Sequence, residues 1–484
     1  MTIRAGTLAV AAVVLSLTSE LPTPLFVACW GGQAKDLAAA IVTDRRGGLF
    51  VVGSAYSRDF PTTSGEGLNG NWCAFATKLR RKTGGVSYST ALCTNWMTWG
   101  WTAAARPDGQ LWMAGSTAGT DLVVTSNAAQ PRFAGASNSS GAGDAFVVRW
   151  SADGGSLRYT TYLGGSGDDS ARALLDDEHD GIWIGGRTAS PDFPVSSTAL
   201  EHTMSGDQAG FLAHIDFRGR LVFATYFGGS RDEEVTSLAR LDRDRIVVVG
   251  NTDSLSQAAG GPPRGRVDGF IAVFDTRRSQ ILWQRRVGGP GDDYLRSVAT
   301  LRDGTIVAAG HSDSATCQGH AGGRDGWIVA LSAEGDSQAV FCFGGTGLDE
   351  IHGVAAGDDG GVWVTGLTAS RGFPLTVNPT GTQPGAADQS FVAQFDPSHL
   401  TVRYAARLTP KNVSGIHTSR GDAIAVAPDG DVFVTGEASG SGFAPSEGAF
   451  RQGQFGESTD VFVVGLRTHR RWAYRSPTRR RHSE

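Results

Sequence analysis

Carboxylate side chains recur on glycine-rich turns along this sequence, and their type and spacing could support chemistry. The clearest turn reads GGSGDD at residues 164–169, and related turns carry Asp168 and Asp169, Asp232 and Glu233, Asp292 and Asp293, and Asp349 and Glu350. Such turns can bind Ca²⁺, which takes about six to eight oxygen ligands. The alternating ligand ladder of a dedicated calcium loop is missing, so we favour carboxylates that accept hydrogen bonds from backbone N–H groups of their own turns. The calcium hypothesis stays open.

No set of residues points firmly to catalysis. The ten histidines are scattered, and the sequence contains neither a nucleophile elbow nor an H-E-x-x-H motif, so we assign no catalytic residue. An alternative is a hydrolase or lyase in which Asp168 or Asp292 works with His311 or His352. We favour a protein that is not an enzyme.

Four of the five cysteines can form two disulfide bonds. Cys73 and Cys93 fall near opposite positions of one predicted hairpin, and Cys317 and Cys342 would join a loop to the strand beside it. These pairings suit an oxidising compartment, although the sequence does not fix the connectivity. No two cysteines have C-x-x-C spacing, so we do not predict a zinc site.

A repeated unit positions these residues. A glycine closes one strand of each unit, and the seven glycines recur at intervals of 56 to 71 residues: Gly53, Gly115, Gly186, Gly250, Gly310, Gly366 and Gly436. Each unit divides into four short strands, and Asp-Gly turns of the tight hairpin type join the first strand to the second. Seven units of four antiparallel strands predict an all-β, seven-bladed β-propeller, because stacked blades bury the apolar faces that one blade would leave wet.

The two ends of the repeated region complement each other. Leu25–Gly32 reads as a fourth strand with no strands before it, and the last unit, which ends at Val461–Leu466, has three strands. We therefore predict that the N-terminal strand completes the last blade and closes the ring, which removes two exposed sheet edges. The same topology places the acidic turns and the long loops, such as Thr188–Gly210, on one face, where repeat proteins usually bind their partners.

The chain ends differ from the repeats in composition. Residues 1–19 contain one arginine and a short apolar run, which is typical of an export signal. Residues 24–466 form the predicted propeller, and residues 467–484 form a basic tail that we expect to lack stable structure. The formal net charge of −5 gives no case for nucleic acid as a partner. We expect no membrane span after the signal, and a monomer that is secreted or held in the cell envelope.

Several motifs occur together in the third unit: YLGGSGDD at residues 162–169, GRTAS at 186–190, and Phe-Pro at 193–194. This set resembles the bacterial secreted β-propeller repeat family, also called the seven-bladed β-propeller or SBBP repeat, over residues 24 to 466. The second unit departs from the pattern, with Cys93-Thr94-Asn95-Trp96 in place of the acidic turn, and so does the seventh. The resemblance implies export and a surface or extracellular setting, and it implies no shared enzymatic activity.

Three functions are consistent with these observations. We favour a non-catalytic binding or scaffold module that presents its loop-rich acidic face to a protein or polysaccharide partner. It requires no cofactor, although calcium stays open. The alternatives are the hydrolase or lyase at the mouth of the channel, and an architectural cell-envelope module stiffened by calcium. The fold alone cannot choose among them.

Overall fold

The seven repeats form the blades of a closed β-propeller. The computed structural model describes residues 21–64, 67–135, 143–178, 181–229, 231–254, 264–315, 317–377, 388–398, 401–408, 418–439, 445–452 and 458–468. The predicted signal at 1–19 and the tail beyond residue 468 lie outside these residues. Within them the chain forms strands and turns only, and it contains no helix that is long and apolar enough to cross a membrane.

Blades 1 to 6 are each four consecutive antiparallel strands, ordered from the channel outwards. Blade 1 contains β2 (Asp36–Thr43), β3 (Gly48–Ala55), β4 (Cys73–Arg80) and β5 (Val86–Leu92). Blade 2 contains β6 (Thr98–Ala105), β7 (Leu111–Thr117), β8 (Asp144–Trp150) and β9 (Leu157–Leu163). Blade 3 contains β10 (Asp169–Asp176), β11 (Gly181–Thr188), β12 (Ala209–Asp216) and β13 (Leu221–Phe227).

The next three blades repeat the same arrangement. Blade 4 contains β14 (Glu233–Arg240), β15 (Arg245–Thr252), β16 (Asp268–Asp275) and β17 (Gln280–Val287). Blade 5 contains β18 (Asp293–Thr300), β19 (Ile306–Ser312), β20 (Asp325–Leu331) and β21 (Ser337–Phe343). Blade 6 contains β22 (Asp349–Ala356), β23 (Val362–Thr368), β24 (Gln389–Asp396) and β25 (Thr401–Arg407).

Blade 7 joins the two ends of the chain. It is built from β26 (Ser419–Val426), β27 (Val432–Ser439), β29 (Thr459–Arg467) and the N-terminal β1 (Thr23–Trp30). Strand β1 runs antiparallel to β29, with Ala28 opposite Val463. The short strand β28 (Arg451–Gln452) adds a fifth, parallel strand outside β1. The predicted fold class and the predicted closure by the first strand are therefore confirmed.

The core of the protein lies between the blades. The described residues form seven apolar clusters, one at each interface between neighbouring blades, including the interface of blades 7 and 1. In strand β3, Val51 packs toward blade 7, whereas Phe50 and Val52 pack toward blade 2. Both faces of β3, the second strand of its blade, are thus buried, which explains its continuous apolar sequence. The innermost strand of each blade packs against those of its neighbours around the whole ring.

The seven recurrent glycines have a steric cause. Each lies in the second strand of its blade, opposite an irregularity in the innermost strand. A Cβ atom at any of the seven would lie closer than 3.0 Å to a backbone carbonyl oxygen of that innermost strand. Real Cβ atoms do not approach a carbonyl so closely, so only glycine fits. The sequence signal that reveals the repeat therefore reports an irregularity next to the channel.

Candidate functional site

Every innermost strand carries a β-bulge at the same place. One extra residue stands between two paired positions of the strand, three residues after the strand begins in each blade. The extra residue of a bulge is unpaired and its side chain is re-aimed, and bulges often lie beside functional sites. The seven bulge residues are Ala39, Trp101, Arg172, Thr236, Arg296, His352 and Asp422.

All seven bulge residues line one cavity of about 630 Å³ at the end of the channel where the innermost strands begin. We call this cavity the channel mouth. Its size lies within the range of about 300 to 1,000 Å³ that is typical of small-ligand sites. The bulges therefore bring side chains from all seven blades, distant in sequence, to a single place.

The opposite end of the channel is different in character. A second cavity of about 550 Å³ lies there, lined mainly by Ala, Ile, Leu and Val residues where the innermost strands end. Polar side chains also reach this cavity, and Asp176 among them accepts hydrogen bonds from Arg106 and from the Trp112 indole. The polar lining residues are Thr43, Asp44, Arg45, Arg106, Asp176, Glu178 and Arg240. The channel mouth is thus the more polar end of the channel.

A network of charges occupies the mouth on the side of blades 6 and 7. Glu350 accepts hydrogen bonds from Arg324 at 3.0 Å and lies 3.0 Å from Nε2 of His352. Burial alone would raise the pKa of Glu350, but the hydrogen bond from His352 and the neighbouring positive charges outweigh burial and hold the pKa below its usual value. The other ring nitrogen of His352 lies 2.9 Å from the carbonyl oxygen of Gly421. Glu350 is therefore anchored as a carboxylate.

Asp422 and Glu437 extend this network into blade 7. Arg420 donates to Asp422 at 2.6 Å and also lies 3.0 Å from Glu437. Burial raises the pKa of Asp422 in spite of Arg420, and burial together with the charge of Asp422 raises the pKa of Glu437. These acids share one arginine, so their charges are only partly compensated.

Aromatic rings occupy the side of blades 1 and 2. Tyr56, Trp72, Trp99 and Trp101 form a row in which successive ring centroids are 5.3, 4.2 and 5.5 Å apart. Tyr56 is exposed, and the three tryptophans are partly exposed. Arg172 of blade 3 lies over the Trp101 ring at 4.3 Å. The row therefore runs from the rim of the face to the channel mouth.

The carboxylates predicted from the sequence fall into two groups. Asp169, Glu233, Asp293 and Asp349 are the first residues of innermost strands and are buried. Asp169 accepts hydrogen bonds from Gly165 N–H and the Ser190 hydroxyl, both at 2.8 Å, and Asp349 has equivalent partners. These carboxylates hold the glycine-rich turn against the end of the second strand. Their geometry matches the hydrogen-bonding alternative, whereas ligand binding by them stays a prediction.

The remaining predicted carboxylates lie nearer the surface. Asp292 forms an ion pair with Arg266, and Asp168 accepts a backbone hydrogen bond from Ala189 through its carbonyl oxygen. Asp232 and Glu350 line the channel mouth, as does the edge of Glu233. Glu350 stands two places later in its repeat than Asp168, Asp232 and Asp292 do, because Leu348 takes the position equivalent to theirs and Asp349 begins the strand. Glu350 is thus the second residue of β22 and lines the channel mouth.

Among the described residues, no hydrogen bond or ion pair joins Asp168 or Asp292 to His311 or His352. His352 contacts Glu350 and not Asp168 or Asp292. His311 is buried and stacks on Tyr294 with a centroid distance of 4.8 Å. Burial lowers the pKa of His311 to about 4.

Two disulfide bonds are present, Cys73–Cys93 and Cys317–Cys342. The first joins the third strand of blade 1 to the turn that leads into blade 2, and the second joins a loop of blade 5 to its outer strand. The thiol of Cys29 is buried in β1, and burial raises its pKa far above the usual value. None of the four disulfide-bonded cysteines is among the residues that line the channel mouth.

Sequence reasoning missed most of the channel mouth, and in particular Trp101, Arg172, Arg296 and Asp422. A signal was nevertheless available. Each bulge residue stands three positions after the residue that starts its innermost strand, so aligning the seven repeats would have placed all seven in one column. The residue types in that column differ from blade to blade, unlike the glycines and the buried acids. Varied chemistry at a fixed structural position is typical of a binding surface on a repeat scaffold.

No family model matches the chain, and no curated protein sequence matches it. Among solved structures, the chain is similar to one titled "Structure of Dos1 propeller", with a TM-score of 0.39 and 11% identity over 90% of this chain and 94% of that chain. The class of protein, a seven-bladed β-propeller, thus rests on the blades themselves, and the SBBP resemblance stays a prediction.

Proposed function

We propose that this protein is an exported, non-catalytic binding module that takes part of a protein or polysaccharide partner into its channel mouth. The convergence of seven bulged side chains on one cavity carries the proposal. A bulge weakens the ladder of backbone hydrogen bonds, and the fold accommodates one in every blade. The result is a polar cavity with a shape set by side chains that differ between blades.

The surroundings of the mouth support binding. Charged groups line one side and partly exposed aromatic rings line the other, which suits a ligand that has both polar and apolar parts. The loops and glycine-rich turns that join the second to the third strands and one blade to the next surround the same end. Two disulfide bonds are consistent with export, because such bonds persist in oxidising compartments.

The proposal is tested by filling the channel mouth. Ala39 is the smallest of the bulge residues, and Ala39→Trp would occupy the cavity without removing any charge. The experiment measures binding of the wild-type protein and the variant to a glycan array and to an array of peptides. Ala152→Trp is the matched control, because Ala152 is exposed on the turn between β8 and β9 at the other end of the blades.

We expect the wild type and the control to bind the same members of one array, and Ala39→Trp to lose that binding while keeping its melting temperature. Failure of the wild type to bind any glycan or peptide would refute the proposal. So would full binding by a folded Ala39→Trp protein.

A further inference from the structure

Arg296 is the bulge residue of blade 5 and projects into the channel mouth. Its side chain is exposed, and within the part of the chain that the structure describes it makes no hydrogen bond or ion pair. The other cations of the mouth have acid partners. Arg172 lies 3.4 Å from Glu234, Arg266 pairs with Asp292, and Arg420 pairs with Asp422. Arg296 therefore offers a planar set of donors that nothing in the described protein uses.

Both basic and acidic side chains line the mouth around this guanidinium. Burial is the main cause that lowers the pKa of Arg172, and repulsion from Arg187 and Arg296 adds to it. Glu234 is the acid that faces Arg172. Glu350 lies on the neighbouring blade 6, and Asp422 on blade 7 is near enough for the charge of Arg296 to oppose the rise of its pKa, but Arg324, His352 and Arg420 already bind these two acids. Arg296 itself can thus take one negative charge, whereas a group of higher charge would also meet Asp232, Glu234 and Asp253 in the lining.

Trp101 faces Arg296 across the channel. In a ring of seven blades, blade 2 stands opposite the junction of blades 5 and 6. The Trp101 indole is partly exposed, lines the mouth, and donates its N–H to Ser116 at 3.2 Å. It continues the aromatic row that begins at Tyr56 on the rim. A ligand that spans the mouth would touch the Arg296 guanidinium on one side and, on the other side, the part of the indole that Trp99 and Arg172 leave exposed.

The rest of the lining favours a ligand rich in hydroxyl groups. Gln208, Asp232 and Asp253 offer hydrogen-bonding groups between the two sides. The aliphatic residues that reach the mouth are small, namely Ala38, Ala39 and Val267. A peptide with apolar side chains would find little surface to bury, whereas pyranose rings present hydroxyls at the edge and C–H groups on the faces, which suit an indole.

We propose that the channel mouth binds an acidic polysaccharide of uronate type, with a sugar carboxylate held in bidentate fashion by Arg296 and its pyranose ring packed against Trp101. The inference rests on the proposed binding function and names its ligand. Arg296 suits this role because its donors match the two oxygens of a carboxylate. The aromatic row supports the sugars that precede the bound uronate.

The test measures binding by calorimetry to hexasaccharides of galacturonate, mannuronate and glucuronate. Each has a carboxyl-reduced counterpart as a neutral control, and a sulfated galactan hexasaccharide and a peptide array are included. The variants are Arg296→Gln, Arg296→Lys and Trp101→Leu. The control is Arg302→Gln, because Arg302 belongs to the same blade, lies on the turn at its other end, and is exposed beside Asp358. Melting temperatures check that every variant folds.

We expect one of the uronate hexasaccharides to bind, and to bind less tightly as salt rises. Arg296→Gln weakens that binding roughly 10- to 100-fold, as expected for loss of a charged hydrogen-bonding partner. Arg296→Lys restores part of it, Trp101→Leu weakens it, and Arg302→Gln leaves it unchanged. Loss with Arg296→Gln but partial recovery with Arg296→Lys separates a direct carboxylate contact from a general structural effect.

Three results would overturn the inference. Equal binding of a carboxyl-reduced hexasaccharide would show that the carboxylate is not recognised. Binding of the sulfated galactan alone would show that the protein recognises a sulfate group and not a carboxylate. Binding only to peptides, or to none of the hexasaccharides, would rule out a saccharide as the ligand. If the protein binds a peptide or a neutral sugar instead, and Ala39→Trp abolishes that binding, the proposed binding function is supported whereas the inference of an acidic polysaccharide is wrong.

Discussion

The carboxyl groups of Asp36 and Asp460 lie together at the junction where blade 7 meets blade 1, and they should make stability depend on pH. Both are buried, and both lie beside Gly31. Asp36 accepts hydrogen bonds from Gly32 N–H at 2.8 Å and the Ser57 hydroxyl at 2.7 Å, whereas Oδ1 of Asp460 has no hydrogen-bond partner among the described residues. Two buried carboxylates without a cation favour holding a proton between them.

The pKa values give the direction of the effect. Burial raises the pKa of Asp460 from 3.8 to about 7, with the charges of Asp36 and Asp59 adding to it, and burial raises the pKa of Asp36 to about 6. A raised pKa means that the folded protein holds the proton more tightly than the unfolded chain does. The stabilisation is therefore complete below about pH 4 and is lost as the pH rises through about 7.

The size of the effect follows from the rise at Asp460. A change from 3.8 to about 7 corresponds to about 4 kcal/mol between low and high pH. A domain of about 440 residues has an unfolding entropy near 0.9 kcal/mol/K, so about 4 kcal/mol shifts the melting temperature by about 4 °C. Asp460→Asn imitates the protonated side chain, so the melting temperature of the variant should match that of the wild type only below about pH 4, exceed it by about 2 °C at pH 5, and exceed it by up to about 4 °C at pH 8.

The assay is thermal unfolding of both proteins at pH 5, 6, 7 and 8. The difference between the melting temperatures of the two proteins reports on Asp36 and Asp460, because the contributions of all other titrating groups are the same in both proteins and cancel. His311, for example, acts in the opposite direction: burial lowers its pKa to about 4, so its contribution is lost as the pH falls below about 6.5. A difference between variant and wild type that does not change with pH, or that shrinks toward pH 8, would refute the reasoning.

Three further predictions follow from packing and covalent structure. Gly310→Ala should prevent stable folding, because its Cβ would strike a backbone carbonyl, whereas Gly323→Ala, with open space around it, should leave the melting temperature unchanged. Replacing Cys73 and Cys93 together by alanine should lower stability by about 3 kcal/mol, as expected for a loop of 20 residues, and a shift below 1 °C would contradict a stabilising bond. Phe26→Ala, in the N-terminal strand at the blade 7–1 interface, should cost about 3 to 5 kcal/mol by denaturant unfolding; a neutral result would mean that β1 contributes little to closing the ring.

The repeat, the four-stranded blades and the closure of the ring were all predictable from the sequence. Hairpin turns and strand patterns are local signals, and the glycines recur because one steric clash recurs in every blade. The closure of the ring was predictable because one strand precedes the first repeat and the last repeat lacks its fourth strand. Strand β1 pairs with β29 and supplies that missing strand. The hydrogen bonds from the N–H groups of each glycine-rich turn to its own carboxylate were also predictable, because they join residues that are close in the sequence.

The channel mouth was decided by tertiary structure. Arg296 and Trp101 are separated by nearly 200 positions in the sequence and lie on opposite sides of one cavity only because seven blades form a ring. Whether a side chain on an innermost strand points into the channel or into a blade interface depends on the bulge, which shifts the alternation of the strand by one residue. Nothing in the local sequence of a single repeat contains that information, because a bulge is defined by two strands and a cavity by all seven blades.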